Sequence, residues 1–160
     1  MDSGRRLEVI SVRARPAKGF SLLELLIVLV MMGLIAGVGY ASLRGMMEKN
    51  RLDAATAQVA NDLSRARSYA QTKNLASNWK KLSDTTYQLQ LGSDVKQYTL
   101  PDGIKFSNLP NGTYVKYAPP YGEVRVNGSV ISALKIELTN EKGDSTEVRI
   151  VGVTGKVIKQ

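Results

Sequence analysis

The chain has 160 residues, enough for one globular domain with an added segment but not for two full domains. It contains neither Cys nor His. This composition excludes a disulfide framework, a thiolate nucleophile and the usual transition-metal ligands, so neither catalysis nor a cofactor is expected. A formal net charge of +8 suggests affinity for polyanions, although such a charge is also common among soluble proteins.

Residues 1–19 form a basic segment ahead of a long apolar one. Their charged residues give a net +3: Arg5, Arg6, Arg13, Arg15 and Lys18 against Asp2 and Glu8. Basic residues on one side of an apolar helix favour retention of that side in the cytoplasm, so the rest of the chain should face outward. A secretory signal would instead show a shorter apolar core followed by a small-residue cleavage site.

Residues 20–43 contain one charged residue, Glu24, in a stretch otherwise apolar enough to predict a membrane-spanning helix. An ionised group in hydrocarbon costs about 2.5–3.5 kcal/mol even on lenient insertion scales, so Glu24 needs a partner or a purpose. The alternative is an ordinary signal anchor whose Glu reaches the membrane interface. Gly33 and Gly37 have the GxxxG spacing that allows close helix packing.

Residues 44–76 show the period of an amphipathic helix. Because no Pro interrupts residues 20–100, the pattern predicts one continuous helix from about Phe20 to Asn74. Its apolar positions recur every three or four residues: Leu52, Ala55, Val59, Leu63, Ala66 and Ala70. This stripe should cover part of a neighbouring sheet.

Residues 77–160 predict a small antiparallel β domain, which gives an α+β fold. Apolar and polar residues alternate in short segments, and no helical segment separates them. The apolar members are Tyr87, Leu89, Leu91, Tyr98, Leu100, Val124, Val126, Leu134, Ile136, Leu138, Val148 and Ile150. Asn127-Gly128 is the best two-residue hairpin turn.

Two features of the loops have both a structural and a functional interpretation. Four acidic residues lie in predicted turns: Asp84, Asp94, Asp102 and Asp144. They lack the spacing of a calcium loop, so turn formation explains them better than a Ca²⁺ site. The loop 119–122, Pro-Pro-Tyr-Gly, is either an exposed tip for partner contact or a plain connection.

The series Lys18, Gly19, Phe20 and Glu24 resembles the signature of type IV prepilins. The resemblance implies that residues 1–19 are a leader and that a prepilin peptidase cuts between Gly19 and Phe20. It also implies methylation of the new Phe20 amine, and a Glu24 that faces the amine of a neighbouring subunit during filament assembly. A buried carboxylate and a buried ammonium are costly alone and tolerable as a pair, so the pairing can set register.

Two later stretches resemble the GspH/FimT group of minor pseudopilins. One is Asn61–Ala70 followed by Lys73-Asn74, and the other is residues 147–157, ending in Thr154-Gly155-Lys156-Val157. The resemblance implies a structural subunit of a type IV pilus or a type II secretion pseudopilus that primes or caps assembly. Its partners would be other pilins, the prepilin peptidase and an inner-membrane assembly platform, and its head would lie outside the cytoplasm.

Two alternatives remain at this stage. Some members of the group take up DNA, and here Lys156 and Lys159 stand near the position of their basic motif. Lysines neutralise phosphates without reading bases, and further cations could extend the patch: Lys80, Lys81, Lys105, Lys116 and Arg125. Solvated strand faces would look the same. The other alternative is a membrane-anchored binding domain that does not polymerise.

Overall fold

A computed structural model describes residues 19–159, and the predicted leader up to Lys18 lies outside them. The chain divides between Ala41 and Ser42 into two compact units. In the described part of the N-terminal unit, residues 22–41 are helical. The C-terminal unit, called the head below, contains the rest of that helix and every strand among the described residues.

One α-helix, α1, runs from Leu22 to Lys73, within two residues of the predicted ends. The residue after it, Asn74, has a φ of +54°, the left-handed conformation in which Asn often closes a helix. All six positions of the predicted apolar stripe in α1 are buried. The helix and its buried face are therefore confirmed.

Within residues 19–159, ten short strands follow α1, and all of them pair in antiparallel fashion. They are β1 (Ser77–Lys81), β2 (Thr86–Leu91), β3 (Asp94–Thr99), β4 (Lys105–Phe106), β5 (Tyr114–Ala118), β6 (Glu123–Val126), β7 (Ser129–Val130), β8 (Ala133–Thr139), β9 (Ser145–Val151) and β10 (Lys156–Lys159). The predicted α+β class is confirmed.

The strands form two sheets where the alternation alone had suggested one. The six-stranded sheet has the order β3-β2-β1-β5-β6-β7, and the four-stranded sheet has the order β10-β9-β8-β4. Period-2 patterns identify the buried face of each strand but not its partner, which depends on turns and longer connections. The turn Asn127-Gly128 joins β6 to β7, and both its residues have positive φ, as a tight hairpin turn requires.

One core lies between α1 and both sheets. Its largest fully buried side chains are aromatic, and Trp79 stacks on Tyr87 with ring centroids 5.5 Å apart. Phe106 meets Trp79 edge-on at 5.8 Å. The helix contacts both sheets, because the Ser77 hydroxyl of β1 donates to the Ala66 carbonyl and Thr56 hydrogen-bonds Thr146 of β9.

Strand β1 contains a buried lysine that the sequence had suggested for a surface patch. Lys81 is 2% exposed, and its ammonium donates to the Asp84 carboxylate at 2.8 Å and to the Leu109 carbonyl at 2.5 Å. The interpretation of Lys81 as a surface cation was therefore wrong. A buried ammonium is tolerated here because a carboxylate and a carbonyl satisfy it.

Candidate functional site

The start of α1 gives Glu24 a clear local environment. Ser21 precedes the helix at the N-cap position, and its carbonyl accepts a hydrogen bond from the Leu25 amide at 3.2 Å. Glu24 lies in the first turn, where the helix dipole favours a negative charge. Ser21 and Glu24 also have the spacing of a capping box. An acidic residue at this position therefore stabilises the helix start, whatever else it does.

The predicted cleavage position lies immediately before this helix. Gly19 and Phe20 precede the first helical residue by three and two positions, and Phe20 is 78% exposed. The Gly19–Phe20 bond is therefore outside regular secondary structure, which suits entry into a protease site. Glu24 is exposed one helical turn beyond Phe20.

The N-terminal part of α1 exposes large apolar side chains around its whole circumference. The helix is long and apolar enough to cross a membrane by length and composition, with a mean hydropathy of 2.5 over its most apolar window. An exposed apolar surface of this extent is unfavourable in water. Lipid or other apolar helices must cover it.

Packing among residues 19–159 does not require glycine at positions 33 and 37. A Cβ atom added to either glycine would meet nothing within 4 Å. Each Gly nevertheless costs about 1 kcal/mol of helix propensity relative to Ala. Close approach of a neighbouring helix is one reason to keep them.

In the head, the stretch Asn61–Ala70 is tied to the six-stranded sheet by a buried hydrogen bond. The Tyr87 hydroxyl donates to the Asp62 carboxylate at 2.6 Å. Burial raises the pKa of Asp62, although the Tyr87 hydrogen bond and the nearby Arg65 act in the opposite direction. Burial, together with the Asp62 carboxylate, also raises the pKa of Tyr87. Asp62 thus has a structural task, the attachment of α1 to β2.

Arg67 of this stretch and Gln71, the residue directly after the stretch, hold two loops. Arg67 Nε donates to the Thr154 carbonyl at 2.7 Å, and Gln71 Nε2 donates to the Tyr121 carbonyl at 2.9 Å. The first bond fixes the turn between β9 and β10, and the second fixes the loop 119–122. Tyr121 itself remains 70% exposed. The loop is therefore anchored through its backbone and displays one aromatic side chain.

The two C-terminal lysines proposed from sequence lie on opposite faces of β10. Lys159 shares a face with Val157, which packs against the core, and its ammonium lies 3.5 Å from the Asp53 carboxylate of α1 and 3.1 Å from the Asp53 carbonyl. Lys156 is exposed on the other face, because side chains alternate along a strand. The fold does not bring Lys156 and Lys159 together.

The other proposed cations are also separated by the fold. Lys80, Lys116 and Arg125 share the outward face of the six-stranded sheet, whereas Lys105 belongs to the four-stranded sheet. Three amides and a phenol on the same outward face escaped the sequence analysis: Asn78, Gln88, Gln90 and Tyr114. The sequence signal that could have identified them is their alternation with the apolar residues of β1, β2 and β5, which are buried.

The acidic residues of the predicted turns act locally. Asp84 accepts from Lys81, and Asp144 accepts from the Asn140 amide at 2.8 Å. Asp94 begins β3, and Asp102 lies in the turn before β4. Within residues 19–159 no three carboxylates gather in an arrangement that would hold a metal ion.

Comparison with known proteins adds one finding. Residues 14–40 match a protein family described as the prokaryotic N-terminal methylation motif. Neither a curated protein nor a solved structure matches the chain significantly. The matched region spans the Gly19–Phe20 bond, Glu24 and most of the apolar segment. The N-terminal segment is therefore a type IV pilin-like signal, which indicates a prepilin-processed protein with an apolar membrane-anchoring helix.

Proposed function

We propose that the protein is a minor type IV pilin or pseudopilin of the GspH/FimT group, a structural subunit that primes or caps a filament. The observation that carries the proposal is the methylation motif over residues 14–40, followed by an exposed apolar helix with one charge. The motif points to the pilin-like proteins, a structural family, which supports a role in assembly. We therefore assign the chain to assembly and not to catalysis.

Processing would change the charge at the start of α1. Cleavage of the Gly19–Phe20 bond leaves Phe20 and Ser21 before the helix and creates a cationic amine. A cation at a helix N-terminus opposes the dipole, while the Glu24 carboxylate one turn away is favoured by it. In an apolar environment both charges need partners, so Glu24 of one subunit meeting the Phe20 amine of the next lowers the cost of both. Methylation of that amine would leave the positive charge in place.

The apolar helix would lie first in the membrane and then in the filament. Before assembly, residues 20–43 would lie in the inner membrane with the basic leader in the cytoplasm and the head outside it. In the filament, the same surface would pack against helices of other subunits. Gly33 and Gly37 suit that close approach, because a Cβ added to either would meet nothing within 4 Å among the described residues.

Contacts in the head support the GspH/FimT assignment. The two stretches that resemble the group are far apart in sequence, yet Arg67 of the first donates to the Thr154 carbonyl of the second. Gly155, next in the second stretch, lies against Tyr117, where an added Cβ would come within 2.6 Å of the ring. Both stretches therefore have a shared structural reason to occur together.

The first experiment is to determine the mature N-terminus by mass spectrometry of the protein recovered from cells that contain a prepilin peptidase. We expect a chain beginning at N-methylated Phe20. A peptidase-deficient strain is the control and should give the full-length chain. Recovery of an intact Gly19–Phe20 bond in the peptidase-positive strain would contradict the proposal and favour a permanently anchored domain.

The second experiment separates processing from assembly. Glu24→Gln removes the charge and should still be cleaved and methylated, but its amount in sheared filaments should fall at least tenfold. Glu48→Gln, which neutralises another carboxylate of α1, is the matched control and should be incorporated normally. Equal incorporation of Glu24→Gln and the unaltered chain would refute the assembly role of Glu24.

A further inference from the structure

The outward face of the six-stranded sheet forms an open polar recess. Its volume is about 530 Å³, and strands β1, β2 and β5 provide most of its lining: Asn78, Lys80, Gln88, Gln90, Tyr114 and Lys116. The alternate residues of these strands, such as Trp79, Leu89 and Val115, are buried in the core. The recess is therefore built on strands whose other face is fixed by packing.

The recess carries positive charge without local neutralisation. Lys80 lies opposite Tyr114, and Lys116 lies between Asn78 of β1 and Arg125 of β6 in the strand register. None of the ion pairs among residues 19–159 involves Lys80, Lys116 or Arg125. The acidic residue that the described strands place on this face is Glu123, two positions before Arg125 in β6, which β5 separates from β1 and β2. The surface is thus suited to an anionic ligand.

Neutral groups with both donors and acceptors lie beside these cations. Asn78 donates to the Gln90 side-chain oxygen at 3.1 Å, and Gln90 in turn donates to the Gly92 carbonyl at 3.1 Å. These bonds fix the side-chain amides of Asn78 and Gln90 relative to each other. Gln88 is the direct neighbour of Lys80 on the adjacent strand β2, and its side-chain amide has no hydrogen-bond partner among the described residues.

We propose that this recess binds an acidic polysaccharide, with Lys80, Lys116 and Arg125 on its carboxylates and the side-chain amides on its hydroxyls. The volume lies within the roughly 300–1,000 Å³ usual for ligand sites. The polar lining disfavours an apolar peptide. The recess offers one aromatic ring, Tyr114, whereas single-stranded nucleic acid is usually held by several stacked rings. The proposal goes beyond filament assembly and does not depend on it.

The test uses the unassembled full chain in neutral detergent micelles, titrated calorimetrically with oligogalacturonate. Neutral maltooligosaccharides should bind at least tenfold more weakly. The double variant Lys80→Gln/Lys116→Gln should lose about tenfold or more in affinity, since charge-assisted hydrogen bonds are among the strongest polar contacts. Its matched control, Lys96→Gln/Lys105→Gln, removes the same charge outside the recess and should bind like the unaltered chain.

Gln88→Leu distinguishes sugar recognition from attraction of any polyanion. It leaves every charge in place and should weaken oligogalacturonate binding at least threefold without affecting Trp79 fluorescence, which reports core packing. Equal losses in the two double variants, or no binding of oligogalacturonate, would overturn the proposal. Tighter binding of duplex DNA, unaffected by Gln88→Leu, would also overturn it and assign the face to nucleic acid. None of these outcomes bears on cleavage at Gly19.

Discussion

At the scale of single residues, the head contains buried polar side chains whose hydrogen bonds affect its stability. Tyr87 and Tyr117 are both fully buried, but only Tyr87 has a partner for its hydroxyl, the Asp62 carboxylate. The Tyr117 hydroxyl is without a hydrogen-bond partner among the described residues. Sequence alternation predicted that Tyr87 faces the core, but it could not predict Asp62 as its partner, because that contact joins α1 to β2.

The two tyrosines should respond differently to removal of the hydroxyl. Tyr87→Phe leaves the Asp62 carboxylate buried without its donor and should lower the free energy of unfolding by about 1–3 kcal/mol. Tyr117→Phe removes a group that is desolvated and unpaired, so it should be neutral or stabilising, within about 1 kcal/mol. Denaturant unfolding followed by Trp79 fluorescence measures both. A larger loss in Tyr117→Phe than in Tyr87→Phe would contradict this assignment.

Asp84 and Asp62 should give opposite pH dependences of stability. The hydrogen bond from Lys81 holds the pKa of Asp84 below its ordinary 3.8, so its stabilisation is present above 3.8 and is lost as pH falls through the lower folded value. Burial raises the pKa of Asp62, so its contribution instead grows as pH falls through the raised value toward 3.8.

Amide variants measured across this pH range separate the two carboxylates. Asp84→Asn should be less stable than the unaltered chain at neutral pH, and the difference should disappear in strong acid. Asp62→Asn should become less stable relative to the unaltered chain as pH falls from neutral toward 3.8. Thermal unfolding followed by Trp79 fluorescence gives both comparisons. A stability difference for Asp84→Asn that persists below the folded pKa would contradict the Lys81–Asp84 pairing.

At the scale of elements, helical periodicity predicted α1 well, while β1 was harder to predict. The buried positions of β1 include Ser77 and Lys81, which look like solvated residues in a sequence. They are buried because the Ser77 hydroxyl donates to the Ala66 carbonyl and because Lys81 has two acceptors. An alternation pattern misses a strand whose inward polar groups find partners elsewhere in the chain.

The turn between β9 and β10 should depend on a glycine. Gly155 has a φ of +66°, and a Cβ there would lie 2.6 Å from Tyr117 Cε1. Gly112 is the matched control, since its φ is +87° and an added Cβ would meet nothing within 4 Å. Gly112→Ala should cost about 1–2 kcal/mol for the left-handed backbone, and Gly155→Ala about 1–3 kcal/mol more for overpacking. Equal losses of unfolding free energy in Gly155→Ala and Gly112→Ala would refute the predicted clash between the added Cβ and Tyr117.

At the scale of the whole molecule, sequence predicted the class and the N-terminal signal but not the recess. The signal is local, because Gly19, Phe20 and Glu24 are close in the chain. The recess is not local, since Lys80, Gln88 and Lys116 meet only after β1 has paired with β2 and β5. The alternation of apolar and polar residues identifies which side chains face away from the core. The order of the strands in the sheet then decides which of these side chains become neighbours.

The head should fold without the apolar segment. Every residue of the hydrophobic core lies between Leu52 and Ile150, so a fragment of residues 42–160 should unfold cooperatively in water without detergent. A fragment of residues 57–160 is the control. It lacks Leu52 and Ala55, so its free energy of unfolding should be lower than that of the longer fragment by about 2–5 kcal/mol. Circular dichroism melting curves distinguish the two. A fragment 42–160 that requires detergent to fold would contradict an independent core.

The contact between Lys159 and Asp53 has a practical consequence for labelling. It places the end of the last strand beside α1 at Asp53, a position in the helical part of the head. A fluorescent protein fused after Gln160 would therefore add its bulk close to this part of α1. A C-terminal reporter should hinder any subunit contact made by the helix near Asp53, even where the head itself remains correctly folded.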